Sequence, residues 1–365
     1  MRRLTALWIL ASFLLIFCLP LPVFADEGTA SEELTLQEAV DRALELSRTL
    51  KIAEKEKEIA REQREDAQEA VTYTPIGFVN DQIQAAYATL LQAELNYQIK
   101  SKTLKSIEDS IKQEVVEKYC GVLSAKEALK KAEKSLEKAK WDRYASMMQL
   151  QVGSLAPIYE TSVDAQYKQA ESALEQAKEN LNKAYVDLNS LIGLSAESRP
   201  ELVSDVSYEP MEEVSIDAEV SRAISNSVNV WAALQAVTIE RQDLRMTLKP
   251  YEIEKIEIEI AELTAAEAEE ELEKQLMLLY HDIKTLEESM AAAEKAIAAA
   301  EDALRAAKLR YEVGNAVEGD VLKAEADLEA AKNTLASLKY SHAKAVSAYR
   351  NLTGRDVLPE VYQEN

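Results

Sequence analysis

The feature that most constrains this chain is an internal repeat. Residues 35–44 read TLQEAVDRAL and residues 215–224 read SIDAEVSRAI, so Val, Arg and Ala recur at a constant offset of 180. Ser47 and Ser227 keep the same offset. Each segment begins with Thr or Ser just before a helical pattern, as a helix N-cap does. Such duplication indicates two copies of one structural unit.

A second match lies further along the chain. Val152-Gly153 pairs with Val313-Gly314 at an offset of 161, and the same offset joins Gly193 to Gly354. Between each Val-Gly pair and its closing glycine, apolar and small residues alternate at spacings of four and three, which is typical of coiled-coil seams. The seams are Ala170, Leu174, Ala177, Leu181, Ala184, Leu188, Leu191 and Ala331, Leu335, Leu338, His342, Ala345, Tyr349, Leu352.

Each copy therefore predicts a medium helix, a short break, a very long helix, a Val-Gly turn and a second medium helix ending at glycine. The predicted helices are 37–70, 80–151 and 156–191 in the first copy, and 217–248, 252–312 and 318–352 in the second. At 1.5 Å per residue, two medium helices stacked end to end match the length of one long helix. The predicted fold class is all-α, with elongated antiparallel helical hairpins in two internal repeats.

The N-terminal residues predict export. Two arginines, an apolar run and Val23-Phe24-Ala25 before Asp26 are typical of a signal peptide cleaved after Ala25. An uncleaved anchor helix is the alternative, and Phe17 before Cys18 argues against lipidation. The predicted organisation is residues 1–25 signal peptide, 26–193 first hairpin repeat, 194–214 linker, 215–354 second repeat and 355–365 tail. After cleavage Cys120 is the one remaining cysteine, which excludes an internal disulfide and favours a buried thiol.

Charge and composition exclude several classes of function. The net charge of −23 argues against nucleic acid and against anionic lipid surfaces. It is explained either by a large solvated helical surface or by an acidic lumen that tolerates cationic solutes. Neither His281 nor His342 has zinc-ligand spacing around it, and no phosphate loop or nucleophile motif occurs. We therefore predict no enzyme activity, no cofactor and no metal, and a buried His342.

Two motifs carry a family resemblance. The stretch 311–322, YEVGNAVEGDVL, and the opening 34–44, LTLQEAVDRAL, together with the duplicated plan, resemble the TolC family of outer-membrane efflux ducts. The resemblance covers the chain after the signal peptide. It implies a trimer whose helices form an α-barrel, placed in the outer membrane or periplasm of the cell envelope. It also implies two partners, a membrane-fusion adaptor and an inner-membrane transporter.

The resemblance assigns roles to the Val-Gly turns, which become the periplasmic entrance and the adaptor contact. The implied contact residues are Val152, Gly153, Ser154, Val313, Gly314 and Asn315, with Asp320 as an entrance residue. Glycine also permits a tight reversal between helices, so a purely structural turn is the alternative. Asp320 could equally be a helix-start carboxylate stabilised by the helix dipole. Lys323 and Tyr159 stand where the family pattern has acidic residues, which puts a strongly cation-selective ring in doubt.

The chain departs from the family at the two breaks between medium and long helices. The first break is about residues 71–79, with Pro75 and Gly77, and the second is little more than residues 249–251. A spanning strand needs about 9–11 residues. We therefore expect a TolC-like α-barrel type without the strands of a β-barrel. The apolar residues Tyr73, Ile76 and Phe78 are expected in a loop.

These observations leave two main hypotheses. The first is a TolC-like efflux component, a passive duct that works with an adaptor and a pump. The second is an exported coiled-coil structural or scaffold protein that has lost the pore. A peripheral lipid-binding helical protein is a weaker third hypothesis, because the acidic balance opposes it.

Overall fold

The computed structural model describes residues 33–71, 81–156, 158–204, 210–211, 215–243 and 251–358. These residues form eight helices and one small parallel sheet, which confirms the predicted all-α class. The elements are β1 (Glu33–Leu34), α1 (Leu36–Leu46), α2 (Arg48–Ala70), α3 (Asp81–Gln151), α4 (Ile158–Ile192), β2 (Glu201–Leu202), α5 (Ile216–Asn226), α6 (Val228–Asp243), α7 (Tyr251–Glu312) and α8 (Glu318–Thr353).

The first medium helix of each copy was predicted as one piece, and this was wrong. The chain leaves helical geometry at Ser47 (ψ 117°) and at Ser227 (ψ 122°). The Ser47 hydroxyl accepts the Leu50 N–H at 3.1 Å and so caps α2, while the Ser227 hydroxyl accepts the Val230 N–H at 3.4 Å and caps α6. The apolar pattern runs through both serines, which is why the breaks are hidden in sequence.

Several predicted segments lie outside the described residues. They are the signal peptide with Cys18, the first break at residues 72–80, and the second break at residues 244–250 with the end of the helix predicted to reach 248. The predicted long helices agree with α3 and α7 within one residue. In the predicted tail, Val357 and Leu358 are buried.

The longest helix, α3, is the spine of the molecule. It packs against α1, α2 and α4 of its own copy and against α6 and α8 of the other. On one side of the middle of α3, the helices in contact are ordered α2–α3–α6–α7, and on the other side α4–α3–α8–α7. We call the part on each side of the middle of α3 an arm. Each arm is a layer of four helices with α7 at one edge and either α2 or α4 at the other.

The thickest part of the molecule lies near the middle of α3. There α1 inserts between α3 and α4, and a core forms from residues of α1, α2, α3 and α4 together with Leu34 and Leu358. Its fully buried members include Leu36, Val40, Val115, Tyr119 and Leu188. The described arms are thinner and use small residues, such as Ala53, Ala60 and Ala67 of α2, to bring helices close.

The second copy repeats this core. Buried Leu272, Leu276 and Ile283 of α7 stand at the 161 offset from buried Ile111, Val115 and Val122 of α3. Ala223 and Val230 likewise stand at the 180 offset from buried Ala43 and Leu50. The matching burial gives the sequence repeat a structural counterpart.

The segment predicted as a linker also takes part in the first core. Its residues Glu201–Leu202 pair in parallel with Glu33–Leu34. The buried Tyr119 hydroxyl donates to the Leu34 carbonyl at 3.2 Å and accepts the Ser204 N–H at 3.0 Å. Burial raises the pKa of Tyr119. Beside it Cys120 is buried, as predicted, and burial raises its thiol pKa to about 12.

Candidate functional site: the two hairpin tips

The two predicted tips have the same backbone geometry. We call residues 152–156 the first tip and residues 313–317 the second tip. Gly153 (φ 73°) and Gly314 (φ 75°) both adopt the left-handed conformation that closes a helix. The N–H after each glycine reaches back five residues, from Ser154 to the Gln149 carbonyl at 2.9 Å and from Asn315 to the Arg310 carbonyl at 2.7 Å.

The tips are bounded by apolar side chains that face solvent. Val152 is 78% exposed and Val313 is 69% exposed. Nothing lies within 4 Å of a Cβ built at Gly153 or Gly314, so the glycines are required by backbone conformation and not by crowding. Further exposed apolar residues adjoin the tips: Tyr144, Met147, Met148, Ile158, Tyr159, Leu309, Tyr311 and Val317. Clustered exposed apolar residues are typical of protein-contact surfaces.

Asp320 lies one turn into α8, beside the second tip. Its carboxylate accepts the Val317 N–H at 3.0 Å, while its own N–H donates to the Val317 carbonyl at 2.9 Å. The side chain therefore caps the start of α8. This agrees with the alternative hypothesis that Asp320 is a carboxylate at the start of a helix. Asp320 and Lys323 are both exposed.

The two hairpins are joined just behind the second tip. The Trp141 ring of α3 covers Gly319 so closely that a Cβ at position 319 would overlap the ring. The Trp141 Nε1 donates to a Glu318 carboxylate oxygen at 3.3 Å. No sequence pattern indicates this contact, since Gly319 is only one glycine inside the motif at residues 311–322.

An acidic residue ties three helices together in the same region. Glu325 of α8 lies 3.5 Å from the Lys134 ammonium of α3 and 3.3 Å from the Lys308 ammonium of α7. A hydrogen bond to Glu137 raises the pKa of Lys134. In the first hairpin the residue at the 161 offset is Asp164, which pairs with Arg143 at 2.8 Å. Neither pair was predicted from the sequence, because charges on long helices usually belong to a solvated face.

This arrangement fits contact with another protein better than chemistry. The tips present rigid turns, apolar side chains and paired charges. His342 lies far along α8, where it is buried beside Glu287 with its Nε2 3.6 Å from a carboxylate oxygen. Among the residues that the structure describes, no cluster of His, Cys, Asp or Glu is arranged to hold a metal ion. In this part of the chain no helix has an apolar stretch long enough to cross a bilayer.

Comparisons with known proteins concern the second repeat and the fold of the chain. Residues 215–355 match the family model of outer membrane efflux proteins. The open-state MtrE outer membrane channel of Neisseria gonorrhoeae superposes with a TM-score of 0.65 at 16% identity, covering 88% of this chain and 89% of that one. No protein of curated function matches the chain by sequence.

Two further outer-membrane proteins share the fold. The CmeC channel of Campylobacter jejuni gives a TM-score of 0.63 at 14% identity over 87% of this chain and 85% of that one. VceC of Vibrio cholerae gives 0.61 at 15% identity over 88% and 97%. The match of residues 215–355 to the outer membrane efflux protein family and the fold shared with solved outer-membrane channels along most of the chain confirm the TolC-family resemblance that the sequence predicts.

Proposed function

We propose that this protein is the duct component of an efflux assembly in the cell envelope. Several copies, three by resemblance, would surround a passive conduit, and an inner-membrane transporter would supply the energy. The chain would be exported by its N-terminal segment. The observation that carries the proposal is the pair of glycine-closed, apolar-edged tips placed at the same end of a rod with the fold of outer-membrane channels.

The tips are proposed to contact a membrane-fusion adaptor. Val152, Gly153 and Ser154 supply one contact, and Val313, Gly314 and Asn315 supply the other. The exposed apolar side chains fit the apolar seam of a helical hairpin, since helices are recognised by apolar anchors at spacings of three and four. The left-handed glycines keep each turn short enough for a partner hairpin to meet the ends of α3 and α7.

The test replaces Gly314 with Val. At φ 75° a β-branched residue costs about 1–2 kcal/mol, so the turn is expected to rearrange while the helices remain. We expect binding of the purified membrane-fusion adaptor from the same genome to fall at least tenfold. Gly314→Asn keeps binding, because Asn tolerates the left-handed conformation.

The matched control is Gly121→Ala. Gly121 lies inside α3 with nothing within 4 Å of a Cβ built at this residue, so adding a methyl group there leaves the tips untouched. If Gly314→Val and Gly153→Val both bind the adaptor as tightly as the unaltered chain, tip docking is wrong. If the tips bind the adaptor but the assembled protein conducts no solute, the scaffold hypothesis replaces the duct.

A further inference from the structure

The linker between the two copies is attached to α7 at Met211, which packs against the buried core of the second copy. Both polar groups of the Met211 backbone bind side chains of α7. The N–H donates to Oε1 of the Glu287 carboxylate at 2.7 Å, and the carbonyl accepts the Lys284 ammonium at 3.1 Å. Lys284 and Glu287 also pair with each other at 2.9 Å. We call these two side chains the Met211 clamp.

A histidine lies beside the clamp. His342 of α8 is 4% exposed, and its Nε2 lies 3.6 Å from Glu287 Oε1, the same oxygen that accepts the Met211 N–H. A separation of 3.6 Å is too long for a hydrogen bond. Glu287 is also largely buried, so a proton on His342 would add a charge at a place that salt and solvent screen poorly.

The clamp is not part of the repeat. At the 161 offset from Lys284 and His342 the first copy has Leu123 and Leu181, which pack against its apolar core. Apolar residues therefore suffice for the packing at these two positions. A buried group of charges seldom adds more stability than apolar residues of similar volume, so packing alone does not account for the clamp.

His342 gains its proton in mildly acidic conditions. Burial lowers the pKa of His342 below its ordinary value of 6.5, although the attraction of Glu287 opposes this shift. Burial alone would raise the pKa of Glu287, but hydrogen bonds from Lys284 and from the Met211 N–H lower it. Glu287 therefore remains a carboxylate while His342 gains its proton as the pH falls below 6.5.

The other helices packed against α8 bring different groups to this region. On α3, Cys120 faces Lys344 of α8, and burial raises the pKa of the thiol to about 12. Cys120 therefore keeps its proton at neutral and acid pH. On α5, Glu219 binds the Tyr349 hydroxyl, two turns beyond His342 along α8. The charges that face His342 directly are those of the clamp on α7.

A proton on His342 weakens both halves of the clamp. An imidazolium forms a charge-assisted hydrogen bond to a carboxylate at about 2.7–2.9 Å, and such a bond is stronger than one from a neutral backbone N–H. Protonated His342 is therefore the preferred partner of Glu287 Oε1. Its charge also repels the Lys284 ammonium, which holds the Met211 carbonyl.

From these contacts we propose that the Met211 clamp is an acid-sensitive switch: when His342 binds a proton, Glu287 Oε1 exchanges the Met211 N–H for the imidazolium, and the linker is released from α7. At neutral pH the linker is fixed at two places, to Tyr119 of α3 through Ser204 and to α7 through Met211. In acid only the first attachment remains, so the tie between the two copies depends on pH. The switch lies at mid-length and does not depend on the proposed adaptor contact at the tips.

The test measures hydrogen–deuterium exchange of the Met211 amide in the full-length protein, with each rate divided by the intrinsic rate at the same pH. Between about pH 7.5 and about pH 5, the range in which histidine gains its charge, we expect its protection to fall by at least about tenfold. The Ser204 amide is the internal control. It lies in the same linker and donates to the Tyr119 hydroxyl, whose pKa is raised by burial, so its protection should stay constant.

Variants assign the effect to His342. His342→Leu takes the residue of the first copy and binds no proton, so the protection of the Met211 amide should no longer change with pH. His342→Gln is a second variant that stays neutral, and the same result is expected. His281→Leu removes the exposed histidine of α7 and is the matched control, which should keep the full pH response.

Three outcomes would overturn the inference. If the protection of the Met211 amide does not fall in acid, the clamp does not open. If the fall persists in both His342→Leu and His342→Gln, another group causes it. If the Met211 and Ser204 amides lose protection together, the chain unfolds and the linker is not selectively released.

Discussion

The two copies solve the same packing problem at mid-length with different chemistry. In the first copy, Ala39 of α1, Leu188 of α4 and Leu194 after α4 lie in an apolar core. At the matching offsets the second copy has Glu219, Tyr349 and Arg355. Thus both copies have an apolar core, but at these three positions apolar residues of the first copy are replaced by a polar cluster in the second.

Each oxygen of the buried Glu219 carboxylate has a partner in this cluster. Glu219 is 4% exposed, yet one carboxylate oxygen accepts the Arg355 guanidinium at 2.5 Å and the other accepts the Tyr349 hydroxyl at 3.2 Å. The contact ties α5 to the end of α8. A buried ion pair seldom adds more stability than apolar residues of similar volume, but it penalises any arrangement that separates its partners. We therefore infer that apolar residues at these positions add stability to the first core, whereas the polar cluster selects one geometry in the second.

The largest expected effect comes from moving the second solution into the first core. Ala39→Glu buries a carboxylate among apolar side chains without a partner, and should destabilise the chain by at least about 4 kcal/mol. Urea unfolding followed by circular dichroism measures the loss. Thr49→Glu, which adds a carboxylate at an exposed position in the first turn of α2, is the control. An unchanged midpoint for Ala39→Glu would contradict this view of the first core.

A smaller loss is expected when the polar cluster is broken. Arg355→Leu leaves the buried Glu219 without its short ion pair, with Arg222 as the remaining cation at 4.0 Å, and should cost about 3 kcal/mol. The triple variant Glu219→Ala, Tyr349→Leu, Arg355→Leu copies the first core and should recover most of that loss. Unfolding midpoints of the two proteins decide the matter, and a triple variant less stable than the single one would show that the copies are not interchangeable.

The tips allow a third comparison. Gly319 is buried under Trp141, whereas Ile158, at the 161 offset, is exposed. Gly319→Ala forces the ring away and should cost about 1–3 kcal/mol. Ile158→Ala should cost almost nothing. A double-mutant cycle with Trp141→Ala measures the coupling, and strict additivity would mean that the ring and the glycine do not act as a pair.

The smallest expected effect depends on pH. Burial lowers the pKa of His342 below its ordinary value of 6.5, whereas the first copy has Leu181 at the matching position. The unfolded chain binds this proton first as pH falls, so the stability that neutral His342 contributes is complete above pH 6.5 and is lost as pH falls through the folded-state pKa. His342→Leu should flatten this part of the profile, and an unchanged slope below pH 6.5 would assign it to carboxylates instead.

The glycine turns of the repeat were predicted from the sequence, whereas its serine breaks and its short strands were not. The glycines at 153, 193, 314 and 354 were placed correctly, and all four adopt positive φ, because left-handed helix ends strongly select this residue. The helix breaks at Ser47 and Ser227 were missed even though both serines keep the repeat offset. The two-residue strands β1 and β2 are too short to show an alternating pattern.

The candidate site was predicted only in part, because several of its contacts join residues that are distant in sequence. The backbone of each tip follows from Val-Gly, but the Trp141–Gly319 contact joins residues 178 positions apart on different copies. The cluster of Glu219, Tyr349 and Arg355 also spans distant segments, and a glutamate near the start of a helix is unremarkable on its own. Pairings between copies depend on how the hairpins cross, which no local pattern encodes.

The contact between Trp141 and Gly319 fixes a stagger. Trp141 lies ten residues before the end of α3, while Gly319 is the second residue of α8, so the first hairpin continues about 15 Å past the second along the α3 axis. A straight partner that lies perpendicular to the long axis of the molecule would contact one turn and miss the other. A partner that contacts both Gly153 and Gly314 of a single chain must therefore cross the long axis of the molecule at an oblique angle.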